Sequence, residues 1–538
     1  MTMIHEQFDK FPTKGEKQTL TDYAETLSNW YVRKQSKNYR KKRGQYFTPK
    51  RISEFMVQLI DDIPAGKELR ILDPSAGVGN FESALCEYIK SNASKVRLSF
   101  DLYEDCEDIM PLLKMNMMAC QEAMAQKGLA ISYSIFKENF ILARMTEFQG
   151  EAGNRTQSEE LLYDLVICNP PYYKLNKNSP EAVAMTRIVK GQPNIYILFM
   201  AMAAKLMKDG GQLVVLTPRS YCTGNYFSEF RKWFFNLITP VRLHAFESRK
   251  LLKNDSVLQE MLILKGKRGG EKPDTIAISM SYKEPDQLAE PAIREVPVDM
   301  VVVSRCEDIQ IRIPTNNIDE IVAREVDKLQ FTLTGLGFKA STGPVVPFRA
   351  KEHLLYTVDD ETESAPLIWM ENIDLGRVSW PLSTSKKPMA LLVGEKTNRL
   401  CIPNSNYVLI KRFSAKEGKR RINAGVLLKR WLNVRFIAIE NHVNYIYKVG
   451  ARLTEDEAYG LAEVFNSNLY NLYFHMSNGN TQVNASELNR IPLPSVDLIV
   501  RIGQYIREKK MGEGTVKQHF IMTTLGIAPA VINHLLAD

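Results

Sequence analysis

Residues 70–81 read RILDPSAGVGNF, and this stretch decides the fold. An apolar run closes on Asp73, a turn carrying Gly77 and Gly79 follows, and a helical pattern begins at Phe81. A strand that ends in an acidic residue and passes through a glycine turn into a helix is suited to binding the edge of a nucleotide. The two glycines reach backbone angles closed to other residues and let the chain approach a ligand with no Cβ in the way. Asp73 stands at the strand end, where a carboxylate can meet a cationic or amino-bearing ligand. The glycine spacing of dinucleotide-binding turns is absent, so a pyrophosphate is not the expected guest.

Outward from this turn, short apolar runs alternate with amphipathic segments of helix length. Strands are predicted at 70–72, 96–103, 133–136, 165–168, 212–216, 241–246 and 261–264. Helices are predicted at 18–38, 52–62, 81–90, 109–127, 195–208 and 226–236, and 145–160 reads as a polar surface loop. Strands separated by helices predict parallel βαβ units in a doubly wound α/β sheet. The second strand ends at Tyr103-Glu104, which places the Glu104 carboxylate to accept hydrogen bonds from ribose hydroxyls. Upstream, GQYFTP at 44–49 precedes a helix that Thr48 is placed to cap.

The run LVIC at 165–168 leads into Asn169, Pro170, Pro171 and Tyr172. Two successive prolines remove two backbone donors and fix φ, so the loop is rigid and the Pro170 carbonyl points outward. With the Asn169 amide oxygen it makes two acceptors aimed at one spot, and Tyr172 adds an aromatic face for a flat ring. That arrangement suits an amino group with two hydrogens to give. It draws the nitrogen toward tetrahedral geometry and localises a lone pair otherwise delocalised into a ring. No covalent intermediate and no strong base are required.

At 538 residues and 44% apolar, the chain can bury several cores. No apolar run reaches the roughly 18 residues needed to span a membrane. The polar start, MTMIHEQFDKFPTKGEKQ, lacks the apolar core of a signal peptide. Seven cysteines without a CxxC pair argue against a disulfide framework and against a metal site, and predict a reducing bacterial cytoplasm. The net charge of +8 is uneven: residues 1–50 hold eleven Lys/Arg against five Asp/Glu. Most of that excess lies between Arg33 and Arg43, and a second cluster runs from Lys411 to Arg421. Phosphate-facing surfaces have this character, because each cation that neutralises a phosphate releases condensed counterions.

The stretch KGKRGGEKP at 265–273 reads as a linker, and PLP at 492–494 as the entry to a helical tail. The predicted division is a basic helical arm at 1–43, an α/β domain at 44–268, an α+β domain at 269–494 and a helical segment at 495–538. In the later half Arg349, Lys411, Arg412, Arg420 and Arg421, with Asn441, His442 and Asn444, are types that read base edges or bind phosphates. His442 is more often a hydrogen-bonding residue than a ligand.

In chain order GQYFTP, DPSAGVGNF, Glu104, ENF (138–140) and NPPY resemble the gamma-class, TaqI-like, N6-adenine DNA methyltransferases of type II restriction–modification systems. The resemblance covers 44–264 closely and 335–495 more loosely, through STGPVV, KRFSAKEGKRR and NTQVNASELNRIPLP. It implies a Rossmann-like methyltransferase mixed sheet with helices on both faces, followed by an α+β target recognition domain. S-adenosylmethionine would be held by Thr48, Asp73, Ala76, Gly77, Gly79, Glu104, Asn139 and Phe140. A flipped adenine would be held by Asn169, Pro170, Pro171 and Tyr172. The resemblance also implies action on double-stranded DNA at the nucleoid, with a restriction endonuclease acting separately, and a monomer acting on one strand at a time is expected.

Two departures stand out. Asn139 occupies a position that is usually acidic, which implies a weaker hold on the cofactor's adenine. Leu252 stands where an aromatic often supports the flipped base, with Phe246 as the nearest substitute. Rival readings share the Asn-Pro-Pro-Tyr loop. Release-factor glutamine methyltransferases are compact and have no use for a basic C-terminal half. RNA adenine offers the same chemistry, cytosine-N4 enzymes favour Ser or Asp at the place of Asn169, and a non-catalytic specificity subunit would not need the motifs intact.

Overall fold

In a computed structural model the described residues are 11–61, 66–92, 96–149, 162–189, 191–247, 260–281, 291–305, 308–358, 363–382, 385–413, 420–477, 482–509 and 514–537. They fall into two compact units, Met1–Thr315 and Asn316–Asp538.

The first unit is built on a nine-stranded sheet. Its strands are β1 (Glu68–Asp73), β2 (Arg97–Tyr103), β3 (Ile131–Phe136), β4 (Tyr163–Cys168), β5 (Met207–Pro218), β6 (Ile238–Phe246), β7 (Met261–Arg268), β8 (Thr275–Ser281) and β9 (Arg294–Pro297). They lie in the order β3-β2-β1-β4-β5-β7-β6-β8-β9. Strands β1 to β5 run parallel, while β7 inserts antiparallel between β5 and β6. Continuous apolar runs such as Leu165–Cys168 become central strands because both faces are covered. The principal helices are α1 (Leu20–Lys34), α2 (Lys37–Arg43), α3 (Lys50–Gln58), α4 (Asn80–Ser91), α5 (Met110–Ala125), α6 (Ile195–Lys205) and α7 (Ser228–Leu237). Helix α6, apolar around its whole circumference, is buried from Ile195 to Ala204. From β1 the chain builds outward through β2 and β3, then returns to place β4 on the other side of β1. The crevice at that reversal, beyond the carboxyl ends of the strands, is where open α/β sheets bind ligands.

Three predicted boundaries move. The predicted 1–43 arm is no separate element, because Tyr23, Leu27 and Tyr31 of α1 pack on Val78 of the glycine turn and on Cys106, Ile109 and Leu112. The sheet does not end at 268. Gly269 and Gly270 form a tight turn at positive φ, and β8 then pairs parallel with β6, so the presumed linker is a turn between strands of one sheet. Of the predicted 145–160 loop, Met145–Gln149 is helical and 150–160 lies outside the described residues.

The second unit is α+β. A six-stranded sheet runs Phe338–Thr342, Val443–Lys448, Tyr407–Lys411, Ala424–Leu427, Gly376–Val378, Ile373–Asp374, and a five-stranded sheet includes Ser364–Ile368 and Phe436–Ile439. The predicted helical tail is integral to this unit. Helix Val496–Lys509 packs on Glu455–Asn466 so closely that a Cβ on Gly460 would lie 1.9 Å from the Ile499 carbonyl oxygen. A Cβ on Gly503 would lie equally close, 1.9 Å, to that of Asp456. Among the described residues no helix is long and apolar enough to cross a membrane.

Candidate active site

A cleft of about 840 Å³, its open mouth included, lies at the strand reversal. The turn after β1 contributes Ser75, Ala76 and Gly77, the tip of β2 contributes Glu104, and the tip of β3 contributes Asn139 and Phe140. Asn169 and Pro171 follow β4, and Tyr46, Phe47 and Thr48 close the cleft from the N-terminal segment. Carboxylates predominate among its charged lining groups: Glu104, Asp105 and Glu138 face a single Arg43 among the described residues. Phe140 and Phe199, with ring centroids 5.5 Å apart, supply an apolar wall.

Glu104 is oriented by the backbone. Its Oε2 accepts from the Gly77 N–H at 3.1 Å and its Oε1 from the Cys106 N–H at 2.8 Å. Each oxygen keeps a further lone pair. Burial outweighs these bonds and pushes the carboxyl up to about 8. Gly77 holds φ 57°, and Ala76 N–H bonds to the Tyr103 carbonyl at 3.0 Å, which ties the turn to β2.

Asp73 and Gly79 act from beneath the cleft instead of lining it. Asp73 is fully buried, and its Oδ1 accepts from the Ser75 N–H at 2.9 Å. The first turn of α4 brings the equally buried Glu82 beside it. Among the described residues Asp73 Oδ2 and both Glu82 oxygens are buried without a well-formed hydrogen bond, so two desolvated carboxyls face one another beneath the turn. Burial first, and the neighbouring Glu82 second, hold Asp73 well above the usual carboxylate range. Gly79, at φ 87°, opens α4, and a Cβ there would lie 2.7 Å from Asn116 Nδ2.

Asn169 is locked by two acceptors. Its Nδ2 donates to the Tyr46 carbonyl at 2.8 Å and to Thr48 Oγ1 at 3.0 Å, which settles the amide orientation. The Tyr172 hydroxyl contacts Asn169 Oδ1 and donates to the Leu216 carbonyl at 2.9 Å. Among the described residues no donor reaches the Pro170 carbonyl.

Several expected roles change. Thr48 does not cap α3, because Pro49 occupies the N-cap position and the Thr48 hydroxyl is engaged with Asn169. The Tyr172 ring is not open: it is 7% exposed and stacks on Tyr46, with centroids 5.7 Å apart and planes 17° apart. Asn139 caps the helical turn Phe140–Ala143, its Oδ1 accepting from Ile141 N–H and Leu142 N–H, and its Nδ2 donates to Glu181 at 3.2 Å. Phe246 is buried against His244 and Leu252 lies outside the described residues. Tyr46, Glu138 and Glu181 were missed, since nothing in a lone residue's neighbourhood along the chain reveals such contacts.

In the second unit the basic residues divide. Arg349 is exposed at a turn, its guanidinium 5.4 Å from the Phe348 ring. Lys411 and Arg412 end a central strand; Arg412 donates to the Asn441 carbonyl at 3.0 Å, and Asn441 N–H bonds to the Val345 carbonyl at 2.9 Å in the same turn region. Arg420 instead donates to the Asn466 carbonyl at 2.6 Å and fastens a helix end, with Arg421 N–H bonded to Asn471. His442 pairs with Glu440 at 2.8 Å. Lys416 and Lys419, of the same cluster, lie outside the described residues. Of the 481–484 stretch, Thr481 lies outside them too, while Val483 N–H bonds to the Arg412 carbonyl and closes onto this unit's own sheet.

Sheet order, glycine turn and acid-lined cleft together define the class of S-adenosylmethionine-dependent methyltransferases. A family model described as Eco57I restriction-modification methylase matches residues 91–251. Type II methyltransferase M.PstI of Providencia stuartii is 34% identical over 87% of this chain and 90% of its own length. Type II methyltransferase M.BsuBI of Bacillus subtilis is 32% identical over 88% of this chain and 92% of its own. The chain belongs to this family, the type II methyltransferases of restriction–modification systems. Among solved structures, the DrdV–DNA complex aligns with 13% identity and a TM-score of 0.49 over 92% of this chain and 59% of that one, a likeness too slight to argue from.

Proposed function

We propose that this methyltransferase modifies the exocyclic N6 of an adenine extruded from duplex DNA, at a sequence read by the second unit, as the modification enzyme of a restriction–modification system. The carrying observation is the Asn169 amide, whose nitrogen is tied to Tyr46 and Thr48, so that the second lone pair of its oxygen, beside the one the Tyr172 hydroxyl contacts, and the Pro170 carbonyl serve as paired acceptors. An adenine amino group has two hydrogens to give to two such acceptors, and a base within the duplex cannot reach them without being flipped out. Drawing both N–H bonds away from the ring plane restores the N6 lone pair, and the surplus proton leaves N6 to solvent afterwards.

S-adenosylmethionine, when bound, supplies an electrophilic methyl group on a cationic sulfonium. The residues present fit it: three carboxylates against one guanidinium line the cleft, and a glycine turn leaves room beside them. Glu104 would accept from ribose hydroxyls with its remaining lone pairs, and Phe140 would pack on the adenine ring. Tyr46 and Tyr172 would form the two aromatic walls for the target base, Tyr46 taking the second side. Asp73, with Glu82, positions the glycine turn from below. Arg349, Lys411 and Arg412 are the leading DNA contacts of the second unit; the protein acts as a monomer, with its endonuclease separate.

The test is to incubate the purified protein with unmethylated genomic DNA and S-adenosylmethionine and to analyse digested nucleosides by mass spectrometry, beside Asn169→Ala. N6-methyl-2′-deoxyadenosine with the wild type alone is the expected result. A methylated cytosine in its place, or methyl transfer to RNA or to a protein glutamine with none to DNA, would overturn the reading.

A further inference from the structure

The N-terminal wall of the cleft carries a charge that the methyl-transfer site does not use. Residues 33–43 contain seven Lys/Arg and no acid. Arg33, Lys34, Lys37, Lys41, Lys42 and Arg43 are exposed, whereas Arg40 is buried. Among the described residues neither Lys41 nor Lys42 has an ion-pair partner. Lys37 and Lys41 stand four apart on one helix, a like-charge pair that costs helix stability. The helix dipole accounts for cations in the last turn of α2, but not for a row that begins at Arg33.

This charge is joined to the acceptor loop. Helix α2 ends at Gly44 with φ 64°, and a Cβ there would lie 2.7 Å from the Tyr172 nitrogen and 3.1 Å from Pro171 Cβ. Arg43 itself lines the cleft. The acids nearby lie outside α2: Asp105 is on the cleft wall beside Arg43, and Asp108 accepts from Gln35 Nε2 at 3.1 Å. A base seated at Asn169 is tethered by its sugar to two phosphates, which must sit at the rim of the cleft.

We propose that the corner between α1 and α2, with Lys34, Lys41 and Lys42 foremost, grips phosphates of the DNA strand that carries the extruded base. The inference rests on the DNA reading above and assigns a second grip, on the catalytic unit itself, besides that of the second unit. Since Gly44 abuts the Pro171–Tyr172 backbone, a strand pulling on this corner also bears on the loop that receives the base.

The experiment measures binding of a fluorescent 30-bp duplex across a salt series, for wild type, Lys41→Ala/Lys42→Ala and Lys41→Glu/Lys42→Glu. Loss of two phosphate contacts makes the slope of log K against log salt shallower by about 2. Methylation kcat/KM on unmethylated plasmid should fall about tenfold, more for the glutamate pair, with S-adenosylmethionine affinity unchanged. Amine acetylation of the wild type gives an independent readout: Lys41 and Lys42 should be protected by DNA while the exposed Lys127 is not. A wild-type slope in the glutamate variant, or Lys41 and Lys42 acetylated equally with and without DNA, overturns the inference while leaving the methyl-transfer reading intact. Absence of any salt-dependent DNA binding by the wild type sinks the DNA reading, and this grip with it.

Discussion

The rings of Tyr46 and Tyr172 lie 17° from parallel with centroids 5.7 Å apart, although the two residues are far apart along the chain. Each is bonded to the same asparagine, Tyr46 through its carbonyl and Tyr172 through its hydroxyl. A base entering between them exchanges one aromatic contact for two. Stacking of this kind is worth about 1–3 kcal/mol per base. Tyr46→Ala should therefore lower kcat/KM for DNA by about tenfold to a hundredfold, and Tyr46→Phe should stay close to wild type. Fluorescence of 2-aminopurine at the target position reports the same step. Equal activity of Tyr46→Ala and wild type would remove Tyr46 from the base's surroundings.

The Thr48 hydroxyl accepts one of the two bonds that orient Asn169. Thr48→Val keeps the shape and removes the acceptor, at a cost of about 1 kcal/mol. A fall in kcat of about fivefold with KM for DNA little changed is expected. Asn169→Ala, which removes the acceptor itself, should cost a hundredfold to a thousandfold, roughly the loss on deleting one preorganised transition-state hydrogen bond. Steady-state kinetics on the sequenced target site distinguishes the two effects.

Glu104 carries a carboxyl pushed up to about 8 by burial, from an ordinary 4.5. Between those values the folded protein holds a proton that the unfolded chain has released, so its contribution to stability declines as pH rises through the window. If Glu104 accepts from the cofactor hydroxyls as proposed, the carboxylate is required, so binding should expel this proton and affinity should rise up to tenfold per unit until about pH 8. Calorimetry in two buffers of different ionisation enthalpy detects the released proton. Glu104→Gln should abolish the pH dependence; a wild-type affinity flat from pH 6 to 9 would contradict it.

The helices Glu455–Asn466 and Val496–Lys509 meet through Gly460 and Gly503 with no space for a methyl group at either. Gly503→Ala places a Cβ 1.9 Å from a backbone carbonyl, so the helices must part. Overpacking of this sort destabilises by about 1–3 kcal/mol. Thermal unfolding should show the second unit melting several degrees lower, with S-adenosylmethionine binding by the first unit preserved.

Much of this molecule was legible in local patterns. The strand periods, the Gly77 and Gly79 turn, Glu104 at the tip of β2 and the Asn169 loop after β4 all depend on neighbours close along the chain. What escaped depends on partners far apart. Asp73 was expected in the cleft, yet the first turn of α4 folds Glu82 against it and leaves it buried. Arg420 looked like a DNA contact until Asn466, 46 residues later, supplied its acceptor. The glycines after β7 promised a linker because a tight turn between strands and a flexible joint share one composition. Tyr46 had no pattern of its own; its significance comes from the Asn169–Tyr172 loop it faces.

The bonds that orient Asn169 reach back 121 and 123 residues. The orienting segment is therefore synthesised well before the loop it serves, and Tyr23, Leu27 and Tyr31 can cover Val78, Cys106, Ile109 and Leu112 before that loop arrives. Closing so long a span carries an entropic cost that is recovered late, once the central strands have paired. A chain begun at residue 66 would keep all nine strands of the sheet and yet leave the Asn169 amide free to turn. Competence for chemistry is then the last property the domain acquires as it folds, and the first it loses when its leading segment is clipped or detached.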